Sequence, residues 1–211
     1  MLARGDALRI TAFGSSTTEG IGASSPEASF TSVMHRALLG ALLGARVAQV
    51  VLRNRGVGGN NAIDLHARLD EVVADAPDLV LFQTGSNDPL QEVPLDRFEQ
   101  LTRDDLARLR ETGADIVLID QQLCRMLEEC PAFPPFLAGL HRIGREAAVP
   151  VFPRYRLMQD WCAAGMARDT LSPDGLHMGD HGYALLGAAL SDWLLAGLAG
   201  AARSAHFSSP G

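Results

Sequence analysis

Leu79-Val80-Leu81-Phe82-Gln83-Thr84 is an almost unbroken apolar run that gives way to Gly85-Ser86-Asn87-Asp88-Pro89, a cluster of small and polar residues. A strand that is apolar at nearly every position, not at every second one, is buried on both faces, and such strands build parallel sheets covered by helices. Four further runs read the same way: Leu8–Phe13, Val47–Leu52, Ile116–Ile119 and Val149–Phe152. Between them lie segments with helical periodicity, notably Phe30–Leu43, Ala62–Ala74, Leu95–Glu111 and Phe136–Ala147. Strand and helix alternate, which predicts an α/β chain: a three-layer α/β/α sandwich, doubly wound on a five-stranded parallel sheet. Right-handed crossovers then bring the loop after each strand to one edge of the sheet, where open α/β folds hold their ligands.

No repeat, low-complexity run or linker-like shift divides the 211 residues, 47% apolar and 20% charged, so one domain over 1–203 is expected, with 204–211 as a frayed tail. Twenty-five acidic against eighteen basic residues give a net charge of −7, which argues against a phosphate-tracking, nucleic-acid-binding surface. All eighteen basic residues are arginines, so no mechanism can run through a lysine. Cys124, Cys130 and Cys162 are too few and too loosely spaced for a zinc site or a disulfide framework, and read as thiols of a reducing compartment. The first residues, Met1 to Asp6, form no apolar signal core, which points to the cytoplasm; a leader removed beforehand would make the protein periplasmic or secreted. Tyr183–Ala202 is apolar enough to suggest a membrane span, but Asp192 at its middle would cost about 2.5–3.5 kcal/mol there. Leu186, Leu190, Trp193 and Gly197 recur at helical spacing, so a packed terminal helix is expected instead.

Four loops at the expected ligand edge carry chemistry. After the first strand comes Gly14-Ser15-Ser16-Thr17-Thr18-Glu19-Gly20, which fits neither the Gly-x-Ser-x-Gly elbow nor a phosphate loop with its lysine. After the second comes Asn54-Arg55-Gly56-Val57-Gly58-Gly59-Asn60-Asn61, whose glycines let backbone N–H groups approach a ligand. The third strand is followed by the Asn87 amide. Ahead of the last helix, Asp174 and His177 are three residues apart, so the carboxylate can orient the imidazole and stabilise its charged form. Each loop alone is equally an ordinary turn or helix cap. A metal reading of His177 and His181, with Asp174 and Asp180 nearby, lacks a further His or Cys cluster to complete it.

Together, and in this order, the loops supply a nucleophile, a base, its orienting acid and oxyanion donors. The set resembles the SGNH (GDSL-like) hydrolase superfamily from about Leu8 to Leu190, most strongly in Gly85-Ser86-Asn87-Asp88 and Asp174-Gly175-Leu176-His177. The resemblance implies the flavodoxin-like fold of that superfamily, Ser16 as nucleophile, His177 as base and Asp174 as its partner. It also implies an oxyanion hole from the N–H groups of Ser16 and Gly59 and the side-chain amide of Asn87. Ser15 departs from the pattern, which usually has aspartate before the nucleophile; because acyl transfer assigns no proton to that position, Ser15→Asp is expected to preserve activity. The implied reaction is serine-dependent hydrolysis of a carboxylic ester through an acyl-serine, without metal or organic cofactor, on a small-molecule or carbohydrate ester such as an acetylated sugar. Two Trp and two Tyr offer no extended aromatic platform for polysaccharide. Arg55, Gln121, Gln122 and Arg125 are polar candidates for the alcohol side. An acyltransferase, a catalytically silent binding module and a metal-dependent hydrolase stay open as alternatives, as does the oligomeric state.

Overall fold

Strands β1 (Ala7–Gly14), β2 (Gln49–Gly56), β3 (Leu79–Gln83), β4 (Asp115–Ile119) and β5 (Val151–Phe152) pair in parallel in the order β2-β1-β3-β4-β5. They belong to a computed structural model that describes residues 7–42 and 49–207, with side chains for 7–42 and 49–197. Alternate residues of the central strands feed two cores, as a pleated strand requires. Ile10, Ala12, Leu81, Val117 and Ile119 pack on one face with α2 (Phe30–Leu42), α8 (Arg154–Ala163) and α10 (Asp180–Phe207). Phe13, Val80, Phe82, Ile116 and Leu118 pack on the other with α3 (Ala62–Ala67), α4 (Leu69–Ala74), α5 (Leu95–Glu111) and α7 (Phe133–Glu146). The predicted three layers are therefore present. Along the first face α10 lies against α2, and the contact needs Gly187: a Cβ there would stand 2.6 Å from that of Val33.

Several boundaries differ from the sequence expectation. β2 runs on through Arg53 and then through Asn54, Arg55 and Gly56, the last three assigned above to a loop, and of its residues only Val50 is buried. It is an edge strand, so polar residues reach water from it and the rule of burial on both faces fails there. Residues 43 and 47–48, expected in a helix and in this strand, lie outside the described residues. The helix expected over Ala62–Ala74 breaks at Arg68, whose guanidinium turns back to the Asn60 side chain (2.7 Å) and to Glu71. α7 begins earlier than its periodicity suggested, with Pro134 and Pro135 in the first turn, where a missing N–H costs nothing. Short helices α1 (Ser16–Glu19), α6 (Arg125–Glu128) and α9 (Arg168–Leu171) complete the chain. Residues 204–207 continue α10 instead of starting a tail, and 208–211 lie outside the described residues. Among the described residues, no helix is long and apolar enough to cross a membrane.

Candidate active site

Ser15 turns the chain out of β1 (φ −99°, ψ −149°) so that Ser16 takes the first position of α1. An N–H at a helix start has no intrahelical acceptor, and neither the Ser16 N–H nor its Oγ is hydrogen-bonded among the described residues. The single helical turn closes at Gly20, whose left-handed φ of 101° returns its N–H to the Ser16 carbonyl. β2 ends hard against this turn, since a Cβ at Gly56 would stand 2.0 Å from the Glu19 nitrogen.

Beyond β2, the Gly58 N–H donates to Glu19 Oε2 (2.5 Å), and the Cα of Gly58 faces the Ser16 side chain, where an added Cβ would lie 3.9 Å from Ser16 Cβ. Gly59 follows with φ 78°, a conformation that favours glycine. Its N–H has no partner among the described residues, and nothing lies within 4 Å of where a Cβ would be, so this face of the loop is open. Its carbonyl accepts from Gln91 Nε2 (2.8 Å), and Asn61 Nδ2 donates in turn to Gln91 Oε1 (2.6 Å). From the β3 side, Asn87 Nδ2 donates to the Asn60 carbonyl (2.8 Å), which leaves the amide one further hydrogen. Asp88, fully buried, accepts the Ala62 N–H at 2.9 Å on Oδ1, while Oδ2 has no partner. Burial pushes the Asp88 carboxyl up to about 6, against the Ala62 hydrogen bond and the weaker pull of the neighbouring Asp88 and Gly85 backbone N–H groups. Asp88 and Gln91 thus fasten the glycine loop, a role that sequence reasoning missed because an Asp after an Asn reads as a plain helix cap.

The third component is a single turn. Asp174 Oδ1 accepts the N–H groups of Leu176 (2.8 Å) and His177 (2.6 Å), and Oδ2 lies 2.7 Å from His177 Nδ1. Burial would raise the Asp174 carboxyl, but the Leu176 N–H, the His177 ring and the His177 N–H hold it below its ordinary range. A carboxylate on Nδ1 keeps the proton there and leaves Nε2 as the basic nitrogen. Three contacts fix this turn to the segment leaving α1. Tyr183 Oη donates to the Ile21 carbonyl (2.6 Å), the Ser24 N–H and hydroxyl donate to Asp180 (2.7 and 2.6 Å), and Gly22 packs so closely that a Cβ would lie 3.2 Å from His177 Cβ. The loops of Ser16, Gly59 and Asn87 and the Asp174–His177 turn therefore meet at one sheet edge.

The remaining candidates separate. Arg55 is committed to a bidentate pair with buried Asp75 (3.0 and 2.7 Å), so it is a structural cation, not a ligand-facing one. Gln121 and Gln122 are buried, Gln121 donating to the Thr84 carbonyl (3.3 Å) and Gln122 serving the protein's own hydrogen bonds. Position after a strand predicted exposure for them, and the sheet edge instead closes over them. Arg125 alone stands exposed at the rim: its guanidinium lies on Gly175, where a Cβ would be 2.7 Å from Nη2, and it has no ion-pair partner among the described residues. Among the described residues, no group of three or more His, Cys, Asp and Glu is arranged to hold a metal, and Asp180 is occupied by Ser24. Cys124 is buried, and all three cysteines are free thiols. A groove of about 650 Å³ between α6, α7 and α8 contains a second Asp–His pair, Asp120 Oδ2 and His141 Nε2 at 2.8 Å. No Ser, Thr or Cys lines that groove, and Asp120 Oδ1 is taken by the Tyr155 N–H (2.8 Å), so the pair has no nucleophile to activate.

Serine after β1, a glycine loop after β2, asparagine after β3 and Asp-x-x-His before the last helix, on a parallel sheet of this order, are the pattern of an SGNH-like hydrolase. The chain belongs to the Non-GDSL lipase-like family, which matches residues 1–199. Among solved structures it is similar to an acetylxylan esterase from Geobacillus stearothermophilus (TM-score 0.74, 20% identity, covering 90% of this chain and 94% of that one). It is similar as well to a lipase/acylhydrolase from Enterococcus faecalis (0.71, 22%, 89% and 95%). A G-D-S-L family protein from Desulfitobacterium hafniense gives 0.70 at 21% identity, covering 87% of this chain and 98% of that one. At such identities the likeness establishes the fold. No curated protein matches in sequence.

Proposed function

We propose that the protein is a serine-dependent carboxylic-ester hydrolase acting through an acyl-serine at Ser16 on short-acyl or acetyl esters, an acetylated carbohydrate among them. The observation that carries the proposal is the Asp174–His177 pair, closed at 2.7 Å, in a turn that the nearby Tyr183 ties to the segment leaving the helix of Ser16. Serine is a poor nucleophile at neutral pH, so His177 Nε2 takes the hydroxyl proton as Oγ attacks the carbonyl carbon. Asp174 stabilises the resulting imidazolium. The tetrahedral oxyanion is held by the unpartnered N–H groups of Ser16 and Gly59 and by the second amide hydrogen of Asn87. Collapse expels the alcohol, which receives the proton from His177, and water activated by the same ring releases the acid. Arg125 binds the alcohol side, a role supported by its exposure beside Gly175. The likeness to an acetylxylan esterase supports an acetyl ester as substrate.

The test is a panel of p-nitrophenyl esters of increasing acyl length and acetylated sugars, assayed with wild type and Ser16→Ala. Intact-mass measurement after a fluorophosphonate probe should give one adduct, on Ser16. Labelling that persists in Ser16→Ala refutes the proposal.

A further inference from the structure

Beneath the site runs a continuous buried chain of side chains. Gln83 Oε1 accepts from the Ser15 N–H (2.9 Å), the Ser15 hydroxyl (3.1 Å) and the Thr18 hydroxyl (3.1 Å). Gln83 Nε2 donates to Ser86 Oγ (3.4 Å), and Ser86 donates to Gln122 Oε1 (3.0 Å). Gln122 Oε1 also accepts from Arg154 Nη2 (2.8 Å), while Gln122 Nε2 donates to the carbonyl of Leu176, the residue just before His177 in the acid–base turn (3.4 Å). Gln83, Ser86, Gln122 and Arg154 are all at most 3% exposed.

The chain has one direction. Arginine can only donate, so Arg154 forces Gln122 to present Oε1, and the Leu176 carbonyl agrees by taking Nε2. Ser86 has a single hydrogen and spends it on Gln122, so its oxygen is left to accept from Gln83 Nε2. Gln83 Oε1 must then face Ser15, as the Ser15 N–H independently requires. Gly14 admits the approach, since a Cβ there would stand 2.7 Å from Gln83 Oε1.

We infer that this Arg154–Gln122–Ser86–Gln83 chain is a positioning element that couples the acid–base turn to the nucleophile loop, and that its direction demands a donor side chain at position 15. The inference uses the proposed role of Ser16 for its effect on rate; the direction itself stands without that role. A carboxylate at position 15 would face Gln83 Oε1, acceptor against acceptor, which overturns the tolerance of Ser15→Asp expected from sequence.

A pair of substitutions at one position tests it. Ser15→Asp should lower kcat for p-nitrophenyl acetate by at least about tenfold with KM little changed, and lower the melting temperature by at least about 4 °C. Ser15→Asn, of the same size but with an amide N–H to offer Gln83 Oε1, should cost less than half as much in both readouts. Arg154→Lys, which keeps a donor-only cation, should retain the full penalty of Ser15→Asp. A tolerated Ser15→Asp, or an equal penalty for aspartate and asparagine, overturns the inference. If wild type hydrolyses and labels with nothing, the proposed function fails, and the melting comparison alone still decides whether the chain has this direction.

Discussion

Asp88→Asn should make the protein more stable at neutral pH and leave it no more stable in acid. The carboxyl of Asp88 is fully buried, one oxygen satisfied by the Ala62 N–H and the other by nothing. Burial raises it from an ordinary 3.8 to about 6, so the fold binds its proton more tightly than the unfolded chain does. Its contribution to stability is therefore fully present below the unfolded value and is lost as pH rises through about 6. The gap corresponds to about 3 kcal/mol at about 1.4 kcal/mol for each tenfold in proton affinity. Asparagine keeps an oxygen for the Ala62 N–H and never ionises. The stability of the variant relative to wild type should thus rise by about 3 kcal/mol between about pH 3.5 and pH 7.5, or about 6–12 °C in melting temperature for a chain of this size. Urea unfolding followed by circular dichroism across that range measures it, and effects common to both proteins cancel in the difference. A difference that does not change with pH would show that Asp88 ionises freely in the fold.

Asp174→Ala should reduce kcat by about 10³–10⁴ while the far-ultraviolet spectrum stays that of wild type, since the carboxylate orients the ring without building a core; near-wild-type turnover would refute the pairing. Asn87→Ala should lower kcat by about 10²–10³ with KM nearly unchanged, and should also lower the melting temperature by a few degrees, because the Asn60 carbonyl loses its donor. Gly56→Ala should destabilise by about 3 kcal/mol or more in chemical unfolding, because the new methyl collides with the backbone of α1.

The central strands β1, β3 and β4 were legible to within a residue or two because burial on both faces leaves a mostly apolar run, broken only by Arg9 and Thr11 in β1 and by Gln83 and Asp115 at the ends of β3 and β4. β2 was half legible: its outer half is polar, and an edge strand is recognised by a neighbour it lacks, which no local pattern records. α6, α8 and α9 escaped because short helices that bridge longer ones carry little periodicity of their own. The places of Ser16, Gly59, Asn87, Asp174 and His177 at the sheet edge could be read because each follows a strand, or precedes the last helix, in an order that the strand pattern gives. Arg55, Gln121 and Gln122 could not, since a polar side chain after a strand looks the same whether it faces a ligand or is consumed by a partner. Only tertiary contact shows that Asp75 occupies the first and the buried chain the last. Asp88 shows the converse: a residue beside a recognised one, doing its work through a backbone N–H twenty-six positions away.

The bond from Tyr183 to Ile21 joins residues 162 positions apart, and that from Asp180 to Ser24 spans 156. Contacts so distant in sequence close late, because each must overcome the loop entropy of nearly the whole chain. The proposed nucleophile is synthesised well before the proposed base, so on that reading a growing chain holds a serine with nothing to activate it until α10 docks against α2. During refolding, ellipticity should return before fluorophosphonate reactivity does. Reactivity at Ser16 should then report the joining of these two distant segments, and undocking of α10 should abolish it while most of the sheet remains intact.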